Sequence, residues 1–105
     1  KGDMLEIILD YVQSRLSEKI SIQETARVFH MSASTLTHLF QREMGISFYR
    51  CVTQRRLVES KKLIELGNTM EEISLAVGFQ EYSALYRAFK AEYGISPMQY
   101  RKMIQ

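Results

Sequence analysis

The sequence predicts an all-α fold in which a helix, a tight turn and a second helix form a unit that occurs twice, with a long helix bridging the copies. Three observations carry this prediction. Strand signals are absent, since no run of alternating β-branched residues is bounded by a hairpin turn. The one proline, Pro97, and the five glycines fall between helical patterns or near the N-terminus, where they punctuate helices without interrupting them. A nine-residue phrase is written twice, as FQREMGISF at 40–48 and FKAEYGISP at 89–97, keeping its Phe, Glu, Gly, Ile and Ser.

The elements follow in chain order from start signals, apolar spacing and stop signals. Asp3 with Glu6, Ser21 with Glu24, and Thr69 with Glu72 are each spaced as a capping box, in which an oxygen side chain accepts from the N3 amide and the acid reaches back to the cap amide. After the first box, Leu5, Ile8, Leu9, Val12 and Leu16 share one face, which predicts a helix over about 4–17. Short helices are expected at about 22–29 and at about 33–44, the latter started by Ser32 and closed by Gly45. A long helix at about 48–66 carries Tyr49, Val52, Leu57, Ser60 and Ile64 along one stripe and stops before Gly67; it should span roughly 28 Å. The pattern then restarts, with helices at about 70–77, about 82–93 and from Pro97 to about 104. The expected organisation is therefore a subdomain at 1–46, a linker helix at 47–67 and a second subdomain at 68–105.

Aligning the halves makes the duplication explicit. Ile22 and Glu24 match Met70 and Glu72 at an offset of 48, whereas Leu36, Phe40, Glu43, Gly45, Ile46 and Ser47 match Leu85, Phe89, Glu92, Gly94, Ile95 and Ser96 at 49. One extra residue has entered the turn of the second copy. The repeated phrase reads as a hinge of fixed angle. Gly94 ends a helix in the left-handed conformation and Ile95 folds back onto Phe89, a Schellman-type stop, while Ser96 caps the next helix and Pro97 suits its first position. Gly45, Ile46, Phe40 and Ser47 repeat the arrangement, with Phe48 in place of the proline.

Composition excludes several function classes. A 46% hydrophobic content is enough for a core, but no apolar run approaches the roughly 18–20 residues needed to cross a bilayer. The N-terminus has no signal-peptide core, so a cytoplasmic location without a membrane partner is expected. The opening Lys1 in place of Met suggests a piece of a longer protein. A lone Cys51 excludes an internal disulfide and reads as an inert residue of the long helix. His30 and His38 have no carboxylate or cysteine at ligand or triad spacing, and no Gly-rich phosphate loop is present, so no catalytic residue, metal or cofactor is expected. The six methionines read as core filler. Net charge is only +2, yet it is uneven: residues 1–47 hold five basic and six acidic side chains, net −1, and residues 82–105 hold four and one, net +3.

The functional candidates are the faces of the 33–44 and 82–93 helices that point away from the core. At 100° per residue, Leu36, Leu39 and Phe40 form the buried arc of the first, with Ser34, His38 and Gln41 opposite and Thr35, Thr37 and Arg42 flanking them. In the second, Leu85, Ala88 and Phe89 are buried, with Ser83, Arg87 and Lys90 opposite, beside Tyr82 and Tyr86. A short helix, a tight turn and a helix with such an outer face fit a helix-turn-helix, whose second helix enters the DNA major groove. Two such faces joined by a spacer about the length of one duplex turn strengthen the reading considerably.

With these residues in place, the sequence resembles the C-terminal DNA-binding domain of AraC/XylS-type bacterial transcription regulators. The resemblance covers roughly 5–103 and is most specific in EEISLAVGFQEYSALYRAFKAEYGISPMQYRK, through Gly78-Phe79, Ser83, Phe89-Lys90, Gly94, Pro97 and Tyr100-Arg101. MSASTLTHLFQREMGIS and RRLVESKKLI also match. It implies two helix-turn-helix subdomains whose recognition helices enter successive major-groove segments of double-stranded DNA. Base reading would fall to Ser34, Thr37 and His38 in the first and to Ser83, Tyr86 and Arg87 in the second. Backbone contacts would come from Arg42, Lys90 and helix N-termini, with Thr35, Gln41 and Tyr82 beside them. Three departures stand out: His30 holds the turn position of Gly78, Leu85 replaces a commoner Phe, and Ser74 a commoner Ala. The resemblance further implies RNA polymerase as a partner, activation more often than repression, and an effector or dimerisation domain outside this sequence. A second reading also fits an all-helical chain: an interaction module that binds a protein through the exposed stripe of the long helix and ignores DNA.

Overall fold

Seven helices and no strand make up the computed structural model, which describes residues 2–105, with side chains from Met4 onward. They are α1 (Gly2–Gln13), α2 (Ile22–Val28), α3 (Ala33–Met44), α4 (Phe48–Glu65), α5 (Met70–Ala76), α6 (Tyr82–Tyr93) and α7 (Pro97–Ile104). The chain forms two compact units, residues 1–52 and 53–105, and the boundary between them falls within α4. Among the described residues no helix is long and apolar enough to cross a membrane.

The first unit is built on a core of Ile8, Val12, Leu16, Ala26, Leu36, Phe40, Phe48, Cys51 and Val52. Phe40 of α3 and Phe48 of α4 meet edge to face at 5.3 Å between centroids, so the residue that opens the repeated phrase and the one that closes it grip each other. Helix α1 is shorter than its apolar pattern: it ends at Gln13, and residues 14–17 continue as tightened turns through bonds such as Arg15 N–H to Val12 O and Glu18 N–H to Arg15 O. The Ser14 hydroxyl donates back to Tyr11 O at 2.8 Å, in competition with the helical ladder, while Leu16 still reaches the core. The Asp3 side chain, the expected cap, lies outside the described residues. At Ser21 only half of the expected box forms. Its side chain accepts from the Glu24 amide, but the Glu24 carboxylate turns to Arg27 at 2.6 Å and does not return to the Ser21 amide.

The second unit packs Leu57, Ile64, Met70, Ile73, Leu85 and Phe89 together, with Tyr93 and Tyr100 against the Phe89 ring at 4.7 and 5.8 Å. Both capping boxes here are complete, Thr69 with Glu72 and Ser96 with Gln99. Arg101 of α7 donates to the Asn68 carbonyl in the turn after α4 and, at 3.5 Å, to the Ile64 carbonyl, which also accepts the Gly67 amide, so a positive charge sits at the C-terminal end of α4. Tyr100 donates to the Glu65 carboxylate at 2.7 Å, and the Lys61 ammonium lies over the Tyr93 ring at 4.2 Å. The buried hydroxyls of Ser60 and Ser74 are satisfied by their own helices, bonding to Leu57 O at 2.6 Å and Met70 O at 2.8 Å.

The helix endings differ from expectation in kind. Gly45 (φ 73°) and Gly94 (φ 81°) are left-handed as required, but Gly94 returns its amide to Lys90, four back, the simpler single-bond ending, and Gly45 shares its amide between the carbonyls of Gln41 and Phe40. The paired Schellman bonds close three other helices: His30 to Arg27 with Met31 to Ala26, Gly67 to Ile64 with Asn68 to Leu63, and Gly78 to Leu75 with Phe79 to Ser74. His30, at φ 58°, thus makes the same bonds as its counterpart Gly78 at φ 89°. The extra residue of the second turn is Gln80, also left-handed at φ 71°, whose amide bonds to Ser74 O.

Two further readings are corrected. Tyr49 does not join the buried stripe of α4; Phe48, Cys51 and Val52 form that arc, and Tyr49 is 49% exposed. Of the six methionines only Met70 is buried and Met31 partly so, whereas Met4, Met44, Met98 and Met103 are exposed. A flexible thioether side chain is at home on either side of the surface, so count alone did not locate it.

Candidate nucleic-acid interface

The two candidate faces stand on helices whose starts and ends are fixed by short-range chemistry. Helix α3 begins where the Ser32 hydroxyl oxygen accepts the Thr35 amide at 3.0 Å, and ends at Gly45. Leu36 and Phe40 are wholly buried, with Leu39 at the edge of the core. The opposite side carries Ser34, Thr35, Thr37, His38, Gln41 and Arg42, all exposed. Thr35 is partly committed, since its hydroxyl oxygen accepts from Ser32 at 2.9 Å. Arg42 pairs with its neighbour Glu43 at 3.4 Å. A groove of about 480 Å³ runs along this edge of α3, lined by Met4, Met31, Leu39, Thr35, His38 and Arg42.

Helix α6 presents the matching positions with different chemistry. Leu85 and Phe89 are buried, and Ser83, Tyr86, Arg87 and Lys90 are exposed. At the offset of 49, Ser83 replaces Ser34, Tyr86 replaces Thr37, Arg87 replaces His38 and Lys90 replaces Gln41. Among the described residues no carboxylate pairs with Arg87 or Lys90, so both charges are available to a partner. Ser83 is held at the helix start by donating to the Glu81 carboxylate at 3.3 Å. Tyr82 is half-buried against the core of its unit and stacks edge to face with Tyr86 at 6.0 Å. Burial pushes its phenol above the ordinary tyrosine range, the neighbouring Tyr86 adds to this, and a backbone hydrogen bond with Met98 opposes it. Tyr82 is therefore the least accessible of the candidate residues.

One polar side chain at the edge of the first unit escaped the sequence reading. The Ile22 amide, the first of α2, donates to the Tyr49 hydroxyl at 2.9 Å. A tyrosine in helical register reads as core, and only the fold reveals that its ring leans on Phe48 while its phenol reaches the start of another helix.

Each unit therefore contains two short helices meeting through a left-handed turn, the second exposing a face rich in hydrogen-bond donors. That arrangement defines a helix-turn-helix protein. The family model described as a helix-turn-helix domain matches residues 25–103. The probable transcriptional regulator LumQ of Photobacterium leiognathi is 32% identical over 108 residues, an alignment covering 100% of this chain and 44% of that protein. In structure, the C-terminal domain of AraT, a response regulator from Geobacillus stearothermophilus, superposes with a TM-score of 0.88 at 27% identity, covering 93% of this chain and 83% of that one. The DNA-binding domain of the global transcriptional factor AdpA, solved in complex with a target DNA, has the same fold, with a TM-score of 0.88 at 23% identity over 94% of this chain and 90% of that one. The chain belongs to the AraC/XylS-type helix-turn-helix family, a family of DNA-binding transcription regulators and not an enzyme class. It spans less than half the length of the curated relatives it matches.

Proposed function

We propose that this chain is the DNA-binding part of a bacterial transcription regulator, and that α3 and α6 read successive major-groove segments of double-stranded DNA. The observation that carries the reading is the reuse of one structural part: two helices with equivalent buried arcs expose equivalent faces filled with different donors. Ser34, Thr37 and His38, and Ser83, Tyr86 and Arg87, are the base-reading residues in this proposal. Arg87 has the geometry for two parallel bonds to the O6 and N7 of guanine. Arg42, Lys90, Thr35, Gln41 and Tyr82 serve the phosphate backbone, fixing register without reading sequence. The AdpA domain, alike in fold, was solved on a target DNA, which supports a duplex as the partner.

In the whole protein, activation through contact with RNA polymerase, action in the cytoplasm, and control by a separate effector or dimerisation domain are proposed on the same footing. The short span of the chain relative to its relatives supports the last of these. The test is fluorescence anisotropy against duplexes selected from a random pool, at several salt concentrations. Binding should weaken linearly in log–log terms with added salt, by about 0.9 per phosphate neutralised. Absence of binding to any duplex at low salt would reject DNA recognition in favour of a protein partner.

A further inference from the structure

We propose that the Tyr49 hydroxyl is a DNA phosphate contact of the first unit, assigned to no role by the helix faces described above. This rests on the DNA-binding reading and adds a residue that lies on α4, outside both recognition helices. Its phenol oxygen accepts the Ile22 amide at 2.9 Å, which fixes the hydroxyl at the entrance of α2. The ring is held edge to face against Phe48 at 5.4 Å, so the side chain is positioned at both ends, yet Tyr49 remains 49% exposed. No acceptor among the described residues takes the phenol's own proton. An oxygen that is already accepting a hydrogen bond is the better donor for it.

What would accept that proton follows from where it sits. The first helix of a helix-turn-helix crosses the sugar–phosphate backbone while the second lies in the groove, and tyrosine hydroxyls are among the groups that bond phosphate oxygens. The amide of Ile22 is itself occupied by the phenol, so the donor offered outward is the phenol proton and not the helix end. The second unit has no equivalent. At the offset of 49 its residue is Met98, which has no hydroxyl, and its first helix is closed by the Thr69–Glu72 capping box. The first unit, whose recognition helix carries a single, already paired cation, gains a neutral phosphate donor that the more cationic second unit lacks.

Tyr49→Phe removes the hydroxyl and keeps the ring on Phe48. By anisotropy, the variant should bind every selected duplex about three- to tenfold more weakly than the wild type, the size of one net hydrogen bond. Its salt slope should stay unchanged, because a neutral phenol displaces no counterion. Loss of the cap on Ile22 is separated with Ile22→Pro, which removes the amide at a position where proline is well tolerated and keeps the phenol. In the Ile22→Pro background, with folding checked by circular dichroism, Tyr49→Phe should still cost affinity. A dissociation constant for Tyr49→Phe within twofold of the wild type overturns the proposal, as does disappearance of its effect in the Ile22→Pro background. If the wild type itself binds no duplex, the DNA-binding reading falls as well.

Discussion

Replacing Gly45 by alanine isolates the energetic cost of the left-handed turn that ends the first recognition helix. A Cβ built at Gly45 meets no atom within 4 Å, so the substitution introduces no clash and its cost is backbone conformation alone. At φ 73° an L-residue is disfavoured by about 1–2 kcal/mol, while alanine narrows the unfolded ensemble and returns about 0.4–1 kcal/mol. The net destabilisation should be about 1 kcal/mol, or a fall of about 4–8 °C in melting temperature for a unit of this size. Thermal unfolding followed by circular dichroism at 222 nm measures it. The same physics predicts the opposite sign at His30, which sits at φ 58° and makes the bonds of its glycine counterpart: His30→Gly should be neutral or stabilising by up to about 1 kcal/mol. Both effects must appear together. A Gly45→Ala variant as stable as the wild type, or a His30→Gly variant that melts lower, would refute the claim that handedness of these corners, and not packing, sets their residue choice.

Three further outcomes are expected. Arg87→Ala should relax base preference at one position, costing about 1–3 kcal/mol there, whereas Lys90→Ala should weaken all duplexes alike and lower the salt slope by about one; uniform losses from both in a binding-site selection would remove Arg87 from the reading set. Arg101→Ala should destabilise the second unit by about 1–3 kcal/mol in urea unfolding, because the Asn68 carbonyl loses its charged donor while the Ile64 carbonyl keeps only the Gly67 amide, and a variant with wild-type stability would show those bonds to be dispensable. The Tyr100 phenol is held above its ordinary range first by donating to Glu65, then by burial, by the Glu65 charge and by Tyr93. Since the folded value is raised, its contribution is fully present below the unfolded value of about 10 and is lost as pH rises through the folded value. Ultraviolet titration should show a late-ionising group of tyrosines, Tyr82, Tyr93 and Tyr100, that loses one member in Tyr100→Phe; an unchanged late phase in that variant would show that the Glu65 bond does not hold the proton.

The parts of the fold that could be read from sequence are those governed by neighbours in the chain. Ser32, Thr69 and Ser96 start their helices because capping depends on residues three apart, and Gly45 and Gly94 stop theirs because only handedness is required. The buried arcs of α3 and α6 follow from periodicity, so the outer faces were legible with them. What escaped has two causes. Glu24 has two local partners to choose between and leaves the Ser21 amide for Arg27, three residues on, whereas Tyr49 reaches Ile22 across 27 positions, a contact that only the fold brings about. The end of α1 is not legible in its apolar spacing, because Leu16 is buried from a turn as well as it would be from a helix.

The left-handed Gln80 has a meaning for how such a duplicated chain diverges. One residue added inside α6 would turn everything after it by 100° and move Arg87 off its face. Added at a corner that reverses handedness, it leaves the later register intact, and the halves still align residue for residue from Leu36 and Leu85 onward. The corner therefore tolerates a change of length, since the one residue added there leaves what the next helix presents undisturbed. A comparison of the halves at any single fixed offset misaligns one side of that corner, so the duplication is seen in full only when the register is allowed to slip there. Shortening the second turn by removing Gln80 would recreate the length of the first, and offers a direct way to exchange recognition helices between the two copies.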